Sequence, residues 1–237
     1  MDEARKTNAL RGAGFVERYL SGRLIDIGAG KDLVAPHAER FDLDEGDANV
    51  ITRFRMPGTY DAVHSSHCLE HMHDPAAALR EWWALLKPGG YLVVVVPHED
   101  LYEQGIWPSL FNRDHKTTFR LDKGDSWSPV SHDVRGLVAA LPGAVIVAAE
   151  VQDQHYDRLL MLKPGEFRRR GAWWLRLAKS IGRRLPVIGP TIKRVAEDRA
   201  TRHGIPLDQT TRDALAQIQV VARKGQAEAS SNGQAAR

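Results

Sequence analysis

Residues 24–30 read Leu-Ile-Asp-Ile-Gly-Ala-Gly: an apolar run, an acid, then two glycines two apart. No other stretch constrains the fold as strongly. Arg23 to Ile27 has the makeup of a strand buried on both faces of a parallel sheet. Gly28 and Gly30, with Ala29 between them, allow a sharp turn and a close backbone approach to a ligand that a Cβ would block. The fingerprint that seats a pyrophosphate on a helix N-terminus needs a third glycine three positions on. Leu33 stands there, and Asp26, just ahead of the first glycine, would repel a phosphate. The pattern suits a ligand with an ammonium group and no phosphate.

Strand and helix patterns alternate along the rest of the chain. A helix is predicted over Thr7 to Leu20, and a short helical stretch ends near Pro36. Further strands are expected at His37 to Asp42, Asn49 to Ile51, Tyr60 to Ser65, Tyr91 to Val96, Ala144 to Gln152 and Ala216 to Arg223. Asp74-Pro75 starts a helix with proline at its first position, and Lys87-Pro88-Gly89-Gly90 stops it. A second helix is expected at His132 to Leu141. Alternation of this kind implies an α/β fold: a doubly wound, mostly parallel, seven-stranded, Rossmann-like sheet with right-handed crossovers. Such sheets bind ligands at the carboxyl ends of their strands. The site should therefore follow Ile27, Phe41, Ile51, Ser65 and Val96.

At those ends the sequence is rich in polar groups. Asp42, Asp44, Glu45 and Asp47 follow the second strand. A carboxylate there can accept both hydroxyls of a ribose; Asp42 fits best, Asp44 second, and Glu45 reads as a solvated turn residue. The stretch from Pro97 to Pro129 is long, polar and aromatic without a clear period, which marks a functional loop. Its Trp107, Phe111, Phe119 and Trp127 could stack on a flat-faced acceptor or pin the loop to the core.

Three blocks carry a resemblance. Asp26-Ile27-Gly28-Ala29-Gly30, the run from Tyr60 to His71, and Leu86-Lys87-Pro88-Gly89-Gly90-Tyr91-Leu92-Val93 occur in an order and spacing that resemble the class I S-adenosylmethionine-dependent methyltransferases. The resemblance covers roughly residues 20–153 and 216–223. Phe41 to Ala48, Ser65 to His71, Asp100 to Gly105 and Asp114-His115 narrow it toward methyltransferases of bacterial glycan and lipopolysaccharide gene clusters. It implies S-adenosylmethionine as cofactor, held by Asp26, Gly28, Ala29, Gly30, Asp42, Asp44, Asp47, Ala48, Ser66 and His67, with Asp47 at the adenine. The helix that usually joins strands two and three is missing from the pattern. The implied activity is O-methylation of a sugar hydroxyl in a surface glycan or its precursor. A small-molecule methyltransferase acting on a phenol or amine, and a non-catalytic cofactor-binding scaffold, are the alternatives.

The histidines need sorting. His98, past the fifth strand, faces the transferred methyl in this fold, and His115 lies in the loop that covers the acceptor. Either could deprotonate a hydroxyl, since histidine titrates near neutral pH. His64 reads as structural, His73 as a polar residue at a helix start, and His67 and His71 as shaping the cofactor pocket. His67-Cys68-Leu69-Glu70-His71 spells His-x-x-Glu-His, a zinc signature in which two histidines share a helix face. Glu150 lies far enough downstream to be a third ligand. Because the string follows a strand and precedes the helix start, the zinc reading is set aside. His98, Asp100 and Asp114 are the residue types that hold a divalent cation, but no metal is assigned.

Composition adds limits. With 237 residues, 43% hydrophobic and 27% charged, the chain suffices for one α/β domain with a full core. The single cysteine, Cys68, excludes an internal disulfide and fits a reducing, cytoplasmic setting. Met1 to Lys6 leads into no apolar signal core, and no apolar run approaches the ~18 residues that span a membrane. The net charge of +3 is unevenly spread. Between the last two strands, residues 163–205 form a basic helical insert. There Trp173, Trp174, Leu175, Leu177 and Ile181 interleave with Arg168, Arg169, Arg170, Arg176, Lys179, Arg183 and Arg184. This pattern reads as a helical flap packed on the domain or a homodimer contact. Peripheral contact with an anionic inner membrane face through 163–203 ranks slightly lower. Nucleic acid is not an expected partner, because no known binding module is visible. The methyltransferase domain is taken as 1–223 and the tail 224–237 as disordered.

Overall fold

A computed structural model describes residues 3–12, 14–161, 177–178, 180–181 and 188–226. About half of the predicted insert and the tail from residue 227 lie outside the described residues, including Trp173, Trp174 and the Arg168–Arg170 run.

Strand β1 (Leu24–Ile27) is buried along its whole length. It pairs in parallel with β2 (Glu39–Phe41) on one side and β3 (Tyr60–Ser66) on the other. Beyond β3 come β4 (Leu86–Pro97), then β8 (Gln217–Lys224) and β7 (Ala144–Gln152), giving six strands in the order β2-β1-β3-β4-β8-β7. β8 runs antiparallel to both neighbours. β5 (Thr118–Arg120) and β6 (Ser131–Asp133) form a separate parallel pair.

The two faces of the sheet follow strand periodicity. Ile25, Ile27, Val63, Leu92, Val94, Val96, Ile218 and Val220 point to the larger core, under helices α3 (Pro75–Ala84) and α4 (Val134–Ala139). Leu24, Ala62, Val93 and Val221 point the other way, against Leu20, Val34 and Ala35. α3 begins where expected: the Asp74 side chain accepts from the amides of Ala76 and Ala77, and Pro75 fills the first turn. β4 begins earlier than expected and contains the Pro88-Gly89-Gly90 turn as an irregularity opposite Tyr60 and Ala62. A Cβ on Gly90 would lie 2.8 Å from the Asp61 carbonyl oxygen.

Three sequence expectations change. The sheet has six strands among the described residues, because the strand expected at Asn49–Ile51 is a 3-10 turn, Ala48–Arg53. Asp47 caps that turn by accepting from the Asn49 amide; the Thr52 amide and hydroxyl both bond to Glu81 of α3; Trp82 donates to the Ala48 carbonyl. These bonds hold the segment against α3 and away from the sheet edge. The helix expected over Thr7–Leu20 is two helices, α1 (Glu3–Leu10) and α2 (Phe15–Tyr19), broken at Gly14, whose φ is +83°. The stretch ending near Pro36 forms turns. Within the basic segment, α5 (Gly189–Arg202) is described; its Ala196 and Ala200 pack on Ile205 and Leu207. No helix among the described residues is long and apolar enough to cross a membrane.

Candidate active site

A cavity of about 510 Å³ opens at the carboxyl ends of β1, β2 and β3. Its floor includes Gly28, Asp42, Asp47 and Ala48, and its far wall includes His67, His71, His73, Asp114 and Lys116. Of the residues expected to hold a cofactor, Gly28, Asp42, Asp47, Ala48 and His67 therefore share one cavity.

The floor is built from backbone turns. Gly28 has φ +75°, and a Cβ there would sit 2.6 Å from the Cβ of Cys68. The residue that requires glycine is thus the neighbouring turn after β3, rather than a ligand alone. The Gly28 amide donates to the Phe41 carbonyl at 2.8 Å and the Gly30 amide to Asp42 Oδ2 at 2.8 Å. Asp42 Oδ1 accepts from the Leu43 amide at 2.8 Å. Each Asp42 oxygen so holds one backbone donor and keeps further acceptor capacity. Arg40 braces the turn, donating to the Gly30 carbonyl and to Asp42, Asp44 and Glu45. Asp47 faces the cavity while accepting from the Asn49 backbone and side chain, and the Asn49 bonds hold its carboxyl below the usual range.

Other expected contacts do not line the cavity. Asp26 is buried beneath it: Oδ2 accepts from the Val34 amide at 2.7 Å, and Oδ1 meets His64 Nδ1 at 2.6 Å. Arg11 reaches His64 Nε2 at 3.3 Å from the other side. Asp26 therefore fastens the glycine turn from beneath. Burial holds the His64 ring below its ordinary pKa despite Asp26, and it lowers Arg11 to about 10. Ala29 and Gly30 follow Gly28 in the turn and are not among the residues that line the cavity. The Asp44 side chain is 71% exposed and paired with Arg40, so Asp42 is the better placed of the two carboxylates. The Ser66 hydroxyl is buried with no hydrogen-bond partner among the described residues.

The two expected bases, His98 and His115, are not among the residues that line this cavity. His98 Nδ1 accepts from the Asp100 amide at 3.0 Å, which leaves the proton of the neutral ring on Nε2. In that tautomer His98 is a donor, and burial lowers its pKa. Asp100 is engaged with Lys123 and Trp127, so the cation set His98, Asp100 and Asp114 is not assembled. His115 is buried, with Nδ1 2.7 Å from Glu103 Oε1. Its Nε2 faces Glu70 Oε1 at 3.9 Å. The loop aromatics are largely committed: Phe119 is fully buried in the core, Phe111 meets Tyr102 edge-on, and Trp127 donates to Asp100.

Behind the wall lies Glu70, named in the sequence only within the string that was set aside. Its side chain is 1% exposed, and neither carboxylate oxygen accepts a hydrogen bond from a described residue. Its neighbours are His67 Nδ1 at 3.5 Å and the Nε2 atoms of His71 and His115, both at 3.9 Å. Burial opposes the charge, but the three imidazoles outweigh it and hold the carboxyl below the usual range. The signal was the string His67 to His71. No α-helix forms there: His67 has φ +54° and Leu69–His71 is a 3-10 turn. The set that does converge is Glu70, His71 and His115.

Residues 5–128, more than half of the chain, match the family described as "Methyltransferase domain". No curated protein matches the sequence. Among solved structures, a SAM-dependent methyltransferase from Archaeoglobus fulgidus aligns at 14% identity and a TM-score of 0.47, covering 94% of this chain and 95% of its own. A Galdieria sulphuraria chain named for a sarcosine dimethylglycine methyltransferase aligns at 16% identity and 0.40, covering 81% of this chain and 61% of its own. A phosphoethanolamine N-methyltransferase 2 from Haemonchus contortus aligns at 14% identity and 0.46, with 93% and 52% covered. The chain thus spans less than two thirds of the length of the last two. Similarity at this level transfers neither residue roles nor acceptors.

Proposed function

We propose that this chain, which belongs to the methyltransferase domain family and takes S-adenosylmethionine as its cofactor, methylates a hydroxyl of a sugar in a glycan or glycan precursor. The floor residues fit the cofactor. Asp42 has lone pairs left for a ribose diol, Gly28 keeps the β1 turn low, and Asp47 and Ala48 border the place left for the base. Bound there, the cofactor supplies a methyl group already activated on a sulfonium. The protein's own part is to hold the acceptor oxygen in line, exclude water and take up a proton as the oxygen loses it.

The composition of the wall carries the acceptor reading. His67, His71, His73, Asp114 and Lys116 face the cavity, while Phe119 and Trp127 are committed elsewhere. A polyhydroxylated acceptor finds donors and acceptors on such a wall, whereas Phe119 and Trp127 are not placed to stack on a flat phenol. A hydroxyl also needs a proton acceptor at the moment of transfer, which a neutral amine does not, and imidazole nitrogens next to a buried carboxylate provide one.

The test is methyl transfer from labelled cofactor to a panel of sugar nucleotides and glycan oligosaccharides, catechols and primary amines. The expected product is a sugar methyl ether. Transfer confined to catechols or amines overturns the acceptor reading. Cofactor binding without transfer to any compound would favour a scaffold.

A further inference from the structure

We propose that Glu70, His71 and His115 form a binding site for one divalent transition-metal ion at the edge of the cavity. Glu70 Oε1 and the Nε2 atoms of His71 and His115 are the only such trio of ligand atoms among the described residues, all within 4.8 Å of one another.

The hydrogen bonds around the trio assign its lone pairs. His115 Nδ1 lies 2.7 Å from Glu103 Oε1, and His71 Nδ1 lies 2.8 Å from Asp114 Oδ2. A carboxylate only accepts, so both rings donate from Nδ1 and turn Nε2, the atom a metal would take in the neutral ring, toward Glu70. His67 behaves alike: its Nε2 meets the Gln217 carbonyl oxygen at 2.9 Å, since the Gln217 amide is spent on Thr7 and Gln152. Its Nδ1 is thereby turned to Glu70. Three imidazole nitrogens and a carboxylate thus face one point, and a cation there takes the place of any proton the rings share with Glu70.

Charge gives the valence. Glu70 and Glu103 are both buried, and one oxygen of Glu103 also lacks a hydrogen-bond partner among the described residues. The nearby ammonium of Lys116 is directed to the His71 carbonyl. Two buried carboxylates without a bonded cation are costly, and a divalent ion balances them. Imidazoles whose far nitrogen donates to a carboxylate are the usual supports of a bound metal. Two imidazoles and one carboxylate favour zinc, manganese, iron or cobalt over magnesium or calcium. The 3.9 Å spacing from Glu70 exceeds the roughly 3.4 Å of a tetrahedral site with ~2.1 Å bonds. Binding therefore draws the three side chains closer together. His71 lines the cavity, so an open coordination position would face the acceptor. Use of that position to bind and acidify a hydroxyl rests on the function proposed above; the site itself does not.

Untagged, chelator-stripped protein titrated with cobalt(II), followed by visible absorption, tests the site, with zinc and manganese followed by calorimetry. The expected result is one ion per chain. Glu70→Gln should remove it, and Glu103→Gln, which disturbs only the support of His115, should weaken it about 10- to 100-fold. Both variants should still bind S-adenosylhomocysteine, which reports an intact fold. Wild type that takes up no more cobalt, zinc or manganese than Glu70→Gln overturns the site, whatever its methyl-transfer activity. Wild type that binds the ion but not S-adenosylhomocysteine keeps the site and overturns the methyltransferase reading.

Discussion

At the ends of β1 and β2 the carboxylates are engaged. Asp26 holds Val34 and His64, Asp42 holds Gly30 and Leu43, and Glu45 accepts from the Asp42 amide and pairs with Arg40. At the end of β3 and in the loop beyond β4, Glu70 and one oxygen of Glu103 have no hydrogen-bond partner among the described residues. One side of the cavity is closed by its own backbone; the other is buried and unsatisfied. Satisfied polar networks rigidify, whereas unsatisfied buried groups store a demand that a ligand or ion can meet. The floor is thus suited to holding a ligand in one place and the wall to chemistry.

The sharpest way to break the floor is Gly28→Val. Left-handed backbone alone costs a side chain ~1–2 kcal/mol, and forcing carbon against Cys68 adds about 1–3 kcal/mol of overpacking. Affinity for S-adenosylhomocysteine should become undetectable by calorimetry, with a clear fall in melting temperature. Because the contact is with Cys68, Gly28→Ala combined with Cys68→Gly should recover part of the stability lost in Gly28→Ala alone. No recovery would mean that backbone conformation, and not the contact, is limiting.

Asp42 and Asp44 separate a gripping carboxylate from a bracing one. Asp42→Asn keeps the shape but loses the charge, and should weaken S-adenosylhomocysteine about 10- to 100-fold, the range for hydrogen bonds to a charged group. Asp44→Ala, at a solvent-exposed ion pair, should leave that affinity unchanged. Equal losses would show that Arg40, which touches both carboxylates, governs the floor as a unit.

The floor was legible in the sequence because its logic is local: a buried strand, two glycines and an acid at the next strand end. The wall was not. His67 to His71 drew attention as a string, but its partner His115 comes from a distant loop, and Glu103 is fixed only by the turn after β4. The missing sheet strand was hidden for a similar reason, since Glu81 and Trp82 of α3 hold the 48–53 segment through contacts remote in sequence. His98 was placed correctly at a strand end, but its tautomer depends on the Asp100 amide, which no residue pattern reports.

The smallest expected effect concerns the latch beneath the floor. His64 is fully buried between Asp26 and Arg11, and burial keeps its ring neutral below the ordinary histidine pKa. As pH falls through about 6.5, the unfolded chain gains a proton at this residue while the folded chain does not, so stability must fall with pH. The slope contributed by one such ring is at most about 1.4 kcal/mol per pH unit, ending at the folded-state pKa. His98 and His132, also lowered by burial, add to the same window. Urea unfolding between about pH 7.5 and 5 should therefore show declining stability with acidification. His64→Gln, which can still donate to Asp26, should flatten that decline without abolishing it. A slope identical to wild type would mean that His64 takes up its proton in the folded state, with Asp26 and not burial setting its charge. The floor would then hold a charge of its own, and the contrast with the wall would narrow to the hydrogen bonds alone.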